Sequence, residues 1–254
     1  MRTLPSELRG KLEKVVVEAR DVAEAGVRVA LEALAVHHHE PYAHLSETDR
    51  KLRNHLRACA RQLGDEQDAK GRLQIDHIIR ECAYEHWHRM LFARFLAEND
   101  LLIEPEMGIA ISLQEAEELV RDTNEDVWTF AGRCAQVMLP QIFRPDDPLL
   151  RVSLATEHML KLEELLNSLE SQVFMSSDAL GWVYQFWQSK RKDEVNASGV
   201  KIGAEELPAV TQLFTEHYMV LFLYHNTIGA WHAGKVLAAN PSLAETAKSE
   251  QELR

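Results

Sequence analysis

The stretch RLQIDHIIRECAYEHWHRMLFARFLAE, residues 72–98, decides the fold. Ile75, Ile79, Cys82, His86, Met90 and Ala93 recur at helical steps and make one apolar stripe. Tyr84, Trp87, Leu91 and Phe95 make a second. A helix with two such stripes is covered on most of its girth, so it is the centre of a bundle. His77, Glu81, Glu85 and His88 share a further face. Glu85 and His88 form an E-x-x-H pair, the ligand spacing of di-iron bundles. That chemistry needs a second such pair, and the sequence has none. The face therefore reads as a polar strip with local Glu–His hydrogen bonds.

On the N-terminal side, residues 4–36 read as one long helix with Pro5 in its first turn. Leu8, Leu12, Val15, Ala19, Val22, Gly26, Val29, Ala33 and Val36 form a heptad seam, suited to a bundle neighbour or to a dimerising coiled coil. The run HHHEPYAH (37–44) reads as a solvated loop, with Pro41 as the stop. Ser46 to Leu63 is a second helix, closed by Gly64. Arg50, Arg53, Arg57 and Arg61 line one of its faces, either as a solvated face or as a stripe contacting DNA phosphates.

On the C-terminal side, residues 99–111 read as an ordered apolar loop or short extended stretch. Ser112 with Glu115 predicts a capping box. A helix over 125–139 should bury Val127, Phe130, Ala131, Cys134, Val137 and Met138. Pro140, Pro145 and Pro148 predict a rigid turn. Helix returns over 154–171 through Leu160, Leu162, Leu165, Leu166 and Leu169. No strand series is present, so the fold class is all-α. The expected form is a multi-helix bundle with room for two helical subdomains, divided as 1–150 and 151–254.

Composition narrows the function. The 254 residues suffice for a sizeable core, and 46% apolar with 27% charged residues is ordinary for a globular protein. No apolar run is long enough for a membrane span, and the N-terminus lacks an apolar leader core, so no membrane partner and a cytoplasmic location are expected. The three cysteines, Cys59, Cys82 and Cys134, have no chelating spacing. A net charge of −12 argues against a non-specific nucleic-acid binder.

The stretch 180–231 carries the functional reading. Asp178 can cap a helix whose apolar positions are Leu180, Val183, Tyr184 and Trp187, with Trp182 and Phe186 on its flanks. Lys190, Arg191 and Lys192 suit its C-terminal end. DEVNASGVKIGAEE (193–206) reads as a mobile loop. Thr215 is expected to cap a helix from Glu216 to Ile228, ended by Gly229. Its centre, Val220 to Tyr224, is apolar all round, so it should be enclosed by other elements.

Gly181, Tyr184 and Gln185, followed after a spacer by Thr211, Gln212, Leu213, Phe214 and Thr215, carry a resemblance. The chain resembles the region before the catalytic core of large bacterial adenine-specific DNA methyltransferases, of the single-chain restriction-modification and PglX phage-defence types. There a G-x-x-Y-Q segment precedes an F/Y-T-P step, motif X, which borders the S-adenosylmethionine pocket. The segment ECAYEHWHRMLFARFLAEND (81–100) is similar to an aromatic–arginine helix of the same region. The resemblance implies that Thr211, Phe214 and Thr215 line part of the cofactor site, with Glu216 in place of the proline. It also implies a catalytic methyltransferase domain and, through the complete enzyme, DNA as partners. The glycine-rich cofactor turn and the Asn-Pro-Pro-aromatic motif are absent, and Asn240–Pro241 continues as Ser242–Leu243. No catalytic residue is therefore assigned. The chain, ending in the polar tail SEQELR, reads as the front part of a longer polypeptide, unable to transfer methyl groups alone. Two other classes stand beside this: a module forming a homodimer through the 8–36 seam, and a metal-dependent bundle enzyme using Glu85 and His88.

Overall fold

The computed structural model describes residues 3–243 apart from 124, 141, 145, 200, 204–206 and 212. Pro145, Gln212 and the tail SEQELR lie outside the described residues. The described chain is helical, with isolated bridges at Gln67–Leu73 and Ile103–Ala110 and no strand among the described residues. Its packing divides it into two compact units, one of Leu4–Ala179 and one built from Leu180 onward. The division falls between Ala179 and Leu180.

The first unit is organised around α3, Asp76–Glu98. Helices α1 (Ser6–Ala33), α2 (Glu47–Gln62), α4 (Leu113–Val120), α5 (Val127–Met138), α6 (Thr156–Asn167) and α7 (Ser171–Phe174) all pack on it. Every member of its first expected stripe, Ile75 to Ala93, is buried. Of the second, Trp87 and Leu91 are buried while Tyr84 and Phe95 are half-buried. The boundary at 179 follows from α6 and α7, which return to α1 across more than a hundred residues of sequence and also pack on α3.

The heptad seam of α1 is buried at Leu12, Val15, Ala19 and Gly26, but Val22 is only half-buried. Beyond Ala19 the buried line runs through Ala23, Val27 and Leu31, while Val29 is 53% exposed. A straight α-helix turns 3.6 residues per turn, so a 3.5-residue seam drifts off the contact face by roughly 20° per heptad. Leu12, Val15, Ala19 and Gly26 are buried inside this chain, where α1 packs against α3 and α6, so the seam is not left open for a second copy. Gly26 is needed for that approach: a Cβ there would stand 2.9 Å from Cγ of His158 on α6.

Helix α1 stops at Ala33, well before Pro41. Ala35 takes a left-handed conformation with φ of 56°. Its N–H donates to Glu32 O and that of Val36 to Leu31 O, both at 2.9 Å, which is a Schellman ending. The same ending closes α3, where Asp100 has φ of 56° and the Leu101 N–H donates to Leu96 O at 2.8 Å. Ser112 and Glu115 form the expected capping box, with Glu115 N–H donating to Ser112 Oγ at 3.2 Å. On α5 the inward face is Trp128, Phe130, Ala131, Cys134 and Ala135, and Val137 turns to solvent at 65% exposure. Leu160 on α6 is also exposed, while Leu162, Leu165 and Leu166 are buried.

The second unit holds α8 (Ala179–Ser198), α9 (Leu207–Thr211), α10 (His217–Tyr224), a π turn over His225–Gly229 and α11 (Ala230–Ala239). Helix α8 runs past the basic triplet, so residues 193–198 of the expected loop are helical. Its buried face is Trp182, Phe186, Trp187 and Val195, rotated from the expected Leu180, Val183, Tyr184 and Trp187.

The Schellman position of α3 gives the first prediction. Asp100 is exposed, sits in a conformation that costs an L-residue free energy, and puts a carboxylate at the negative end of the helix. Asp100→Gly should stabilise the fold by about 0.5–1 kcal/mol. Urea unfolding of the two proteins measures it, and an unchanged or lower midpoint refutes it.

Candidate functional site

The two halves of the stretch over 180–215 meet. Residues 213–216 are not helical, and they connect α9 to α10. The N–H of Phe214 donates to Oε1 of Gln185 on α8 at 3.0 Å. The Phe214 ring lies on Gly181, one turn earlier on the same helix face. A Cβ at Gly181 would stand 2.1 Å from two carbons of that ring, so no other residue type leaves the ring its place. Trp182 meets Phe214 edge to face with centroids 5.2 Å apart, and stacks on Phe186 at 5.6 Å. A glycine, an amide acceptor four residues on and an intervening tryptophan thus hold one phenylalanine by its backbone and its ring.

The three expected cofactor residues lie along this segment. Thr211 is exposed, and its hydroxyl donates to Leu207 O at 2.6 Å. Phe214 is half-buried in the contact just described. Thr215 is exposed but does not cap α10. The N-cap is Glu216, with no side-chain cap bond, and the helix begins at His217. The tie from Phe214 to Gln185 keeps the backbone extended, and the helix starts only after it. Nor does Gly229 end the helix, since the π turn and α11 carry it on to Ala239. Trp182 is the member that the sequence pattern left on a flank. Its signal was the tryptophan directly after the glycine.

The arginines of α2 have another role. Arg53 and Arg57 are 4% and 7% exposed. Arg53 donates to the carbonyls of Ala35 at 2.9 Å and His39 at 2.8 Å, and also to His38. Arg57 donates to Val36, to His38 at 2.7 Å and to Gly71 at 3.1 Å. Arg50 reaches the carbonyls of Leu45 and Ala43 from an exposed position, and Arg61 is exposed. The expected phosphate stripe is therefore not formed: its two middle members clamp the loop after α1. Helix α1 has no basic residue in its last turn, and these guanidinium groups meet the negative end that it leaves. The histidine loop is thus fastened to α2 and not merely solvated.

Among the described residues no group of three or more His, Cys, Asp and Glu side chains could hold a metal ion. His88 is stacked between Tyr84, with centroids 5.4 Å apart, and Phe143, at 5.7 Å, in place of the Glu–His hydrogen bonds expected. Burial holds the Glu85 carboxyl up at about 7, helped by the charges of Glu81 and Asp147. Burial and then Arg89 push His86 down to about 4. The thiol of Cys82 donates to Leu149 O at 3.4 Å, and burial raises it far above the ordinary thiol range, as a structural cysteine. A cleft of about 320 Å³ opens between α3, α4, α5 and α6. Its polar groups pair with one another, Arg94 with Glu98 at 2.8 Å and the Trp128 indole N–H with Glu163 at 2.8 Å.

No protein-family model matches the chain, and no solved structure matches it. It is 32% identical over 95 residues to the adenine-specific methyltransferase BrxX of Escherichia coli O9:H4 (strain HS), which is 37% of this chain and 7% of that protein. It is 22% identical over 227 aligned positions to the adenine-specific methyltransferase PglX of Lacticaseibacillus casei (strain Zhang), covering 74% of this chain and 19% of that protein. The chain is related to these adenine-specific methyltransferases and spans less than a fifth of the length of either.

Two predictions come from the buried charges. Arg57→Ala leaves buried carbonyls without their donor and should cost about 2–4 kcal/mol, while Arg50→Ala costs less than about 1 kcal/mol. Equal, small losses in urea unfolding would restore a surface role for Arg57. The second concerns pH. Glu85 binds its proton more tightly in the folded state, so its contribution is complete below about 4.5 and lost as pH rises through about 7. His86 binds its proton less tightly when folded, so its contribution is complete above about 6.5 and lost as pH falls through about 4. The two oppose each other where they overlap. Relative to the parent, Glu85→Gln should therefore give stability that rises more steeply over this range, and His86→Leu stability that falls with pH. Urea unfolding in steps between about pH 4 and 7.5 checks the slopes, and parallel curves for all three proteins refute it.

Proposed function

We propose that this chain is the N-terminal helical part of an S-adenosylmethionine-dependent DNA adenine-N6 methyltransferase of restriction-modification or phage-defence type. It buttresses the catalytic domain and supplies one wall of the cofactor pocket, and it transfers no methyl group by itself. The reading is supported by the relatives' names and by one geometric observation. The two motif halves interlock, with Gly181 admitting the Phe214 ring and Gln185 holding its backbone.

The side chains on offer suit that role. Thr211 and Thr215 present hydroxyls at the surface, and Phe214 presents part of an aromatic ring. An aromatic ring and two hydroxyls fit a group that joins a cationic sulfur to an adenosine. When bound, that group supplies the activated methyl. Phe214 would pack on it, Gln185 would keep Phe214 in place, and the hydroxyls would orient its polar edge. The rest of the pocket, and the groups that take up a flipped adenine, belong to the polypeptide with the glycine-rich turn and the Asn-Pro-Pro-aromatic motif.

Calorimetric titration with S-adenosylmethionine tests this. The isolated chain should show no micromolar binding. The complete enzyme should bind, and Phe214→Ala should weaken it by about tenfold or more. Gln185→Ala should lower affinity by displacing Phe214. Micromolar binding by the chain alone, or an unchanged affinity in Phe214→Ala, overturns the proposal.

A further inference from the structure

We infer that the helical run from His217 to Ala239 is a docking element that inserts into a groove of the methyltransferase body. The inference rests on the reading above and names the partner of its site.

The run breaks the rule that every other long helix obeys. Tyr218, Met219, Val220, Leu221, Phe222, Leu223 and Tyr224 follow one another, and each is between 38% and 66% exposed. Helix α10 has no buried residue, and Ile228 and Trp231 are 59% and 61% exposed beyond it. In a chain with 27% charged residues, Lys235 is the one Lys, Arg, Asp or Glu between 217 and 239. Its ammonium sits 4.0 Å over the Trp231 ring, so even this charge is partly covered by an apolar face.

The direction of the exposed groups identifies the occupant. Seven consecutive residues at about 100° each point to every side of the helix. A second copy related by a two-fold axis covers one side of each helix and leaves the other in water. Full cover needs a concave surface that surrounds the run, as when an apolar helix lies in a groove. The backbone is prepared for a dry environment. At the π turn, Asn226 Nδ2 donates to Phe222 O at 2.7 Å and Thr227 Oγ1 to Leu223 O at 2.6 Å, so side chains satisfy the carbonyls where the regular ladder shifts. The relatives supply a body of the right size, since more than four-fifths of each lies outside the matched region. The run also begins three residues after Phe214, so seating it would bring that ring near the body it docks on.

Hydrogen exchange read by mass spectrometry tests this on two samples. One is this chain alone. The other is this chain together with the polypeptide bearing the glycine-rich turn and the Asn-Pro-Pro-aromatic motif. Amides over 217–239 should exchange quickly in the first and be slowed about a hundredfold or more in the second. Leu221→Glu combined with Phe222→Glu should abolish the complex and leave exchange across Leu4–Ala179 unchanged. A complex that methylates DNA while 217–239 still exchanges quickly overturns the docking and leaves the proposed function standing. Failure of this chain to join or assist any methyltransferase overturns the proposed function itself. Protection in the chain alone also overturns the docking. A doubled mass then assigns the surface to a second copy, an unchanged mass to the chain's own first unit. Protection gained on phosphatidylglycerol vesicles alone assigns it to a lipid surface and overturns the docking as well.

Discussion

A helix with apolar side chains on two faces must be covered on both, and the enclosure of Asp76–Glu98 is the constraint on which the first unit depends. Helices α1, α2, α4, α5, α6 and α7 are placed by it. Enclosure also carries polar groups inside, because the helix has only so much girth for its apolar stripes. His86 is kept neutral, Glu85 holds its proton toward neutral pH, and His88 is sandwiched between aromatic rings. These perturbed groups look like chemistry when read one at a time. Their partners are core side chains, and burial accounts for the shifts.

Helix α10 is apolar on nearly every side and has the opposite fate. What covers α3 comes from the same chain, whereas α10 has no buried residue. The contact before it is well made. Phe214 is held by its N–H and by its ring, and this corner leads through Thr215 and Glu216 into an apolar helix with no buried residue. An ordered corner beside an unsatisfied surface is what one wall of a larger site would look like. The relation to much longer adenine-specific methyltransferases gives that surface a context.

The arginines of α2 show how far residue type can mislead. Four arginines on one helix face have the spacing of a phosphate-binding stripe. In the fold, the carbonyls of the loop after α1 lie within reach of Arg53 and Arg57, and a buried carbonyl is a partner that burial makes costly to leave. The pair instead joins α2 to the segment that α1 leaves behind.

The sequence by itself determined the helical class, the central position of residues 72–98 and the capping box at Ser112 and Glu115. These rest on periodicity or on contacts within about four residues. Tertiary structure alone decided which side of α8 is buried and where α1 leaves its heptad seam. It also decided that Arg53 and Arg57 face inward, and that Thr215 stands one residue short of the cap. Each of those outcomes depends on a partner tens of residues away, such as the His38 carbonyl for Arg57 or the Gln185 amide for Phe214. Local spacing contains no record of such a partner, because folding brings it near through packing and not through sequence order.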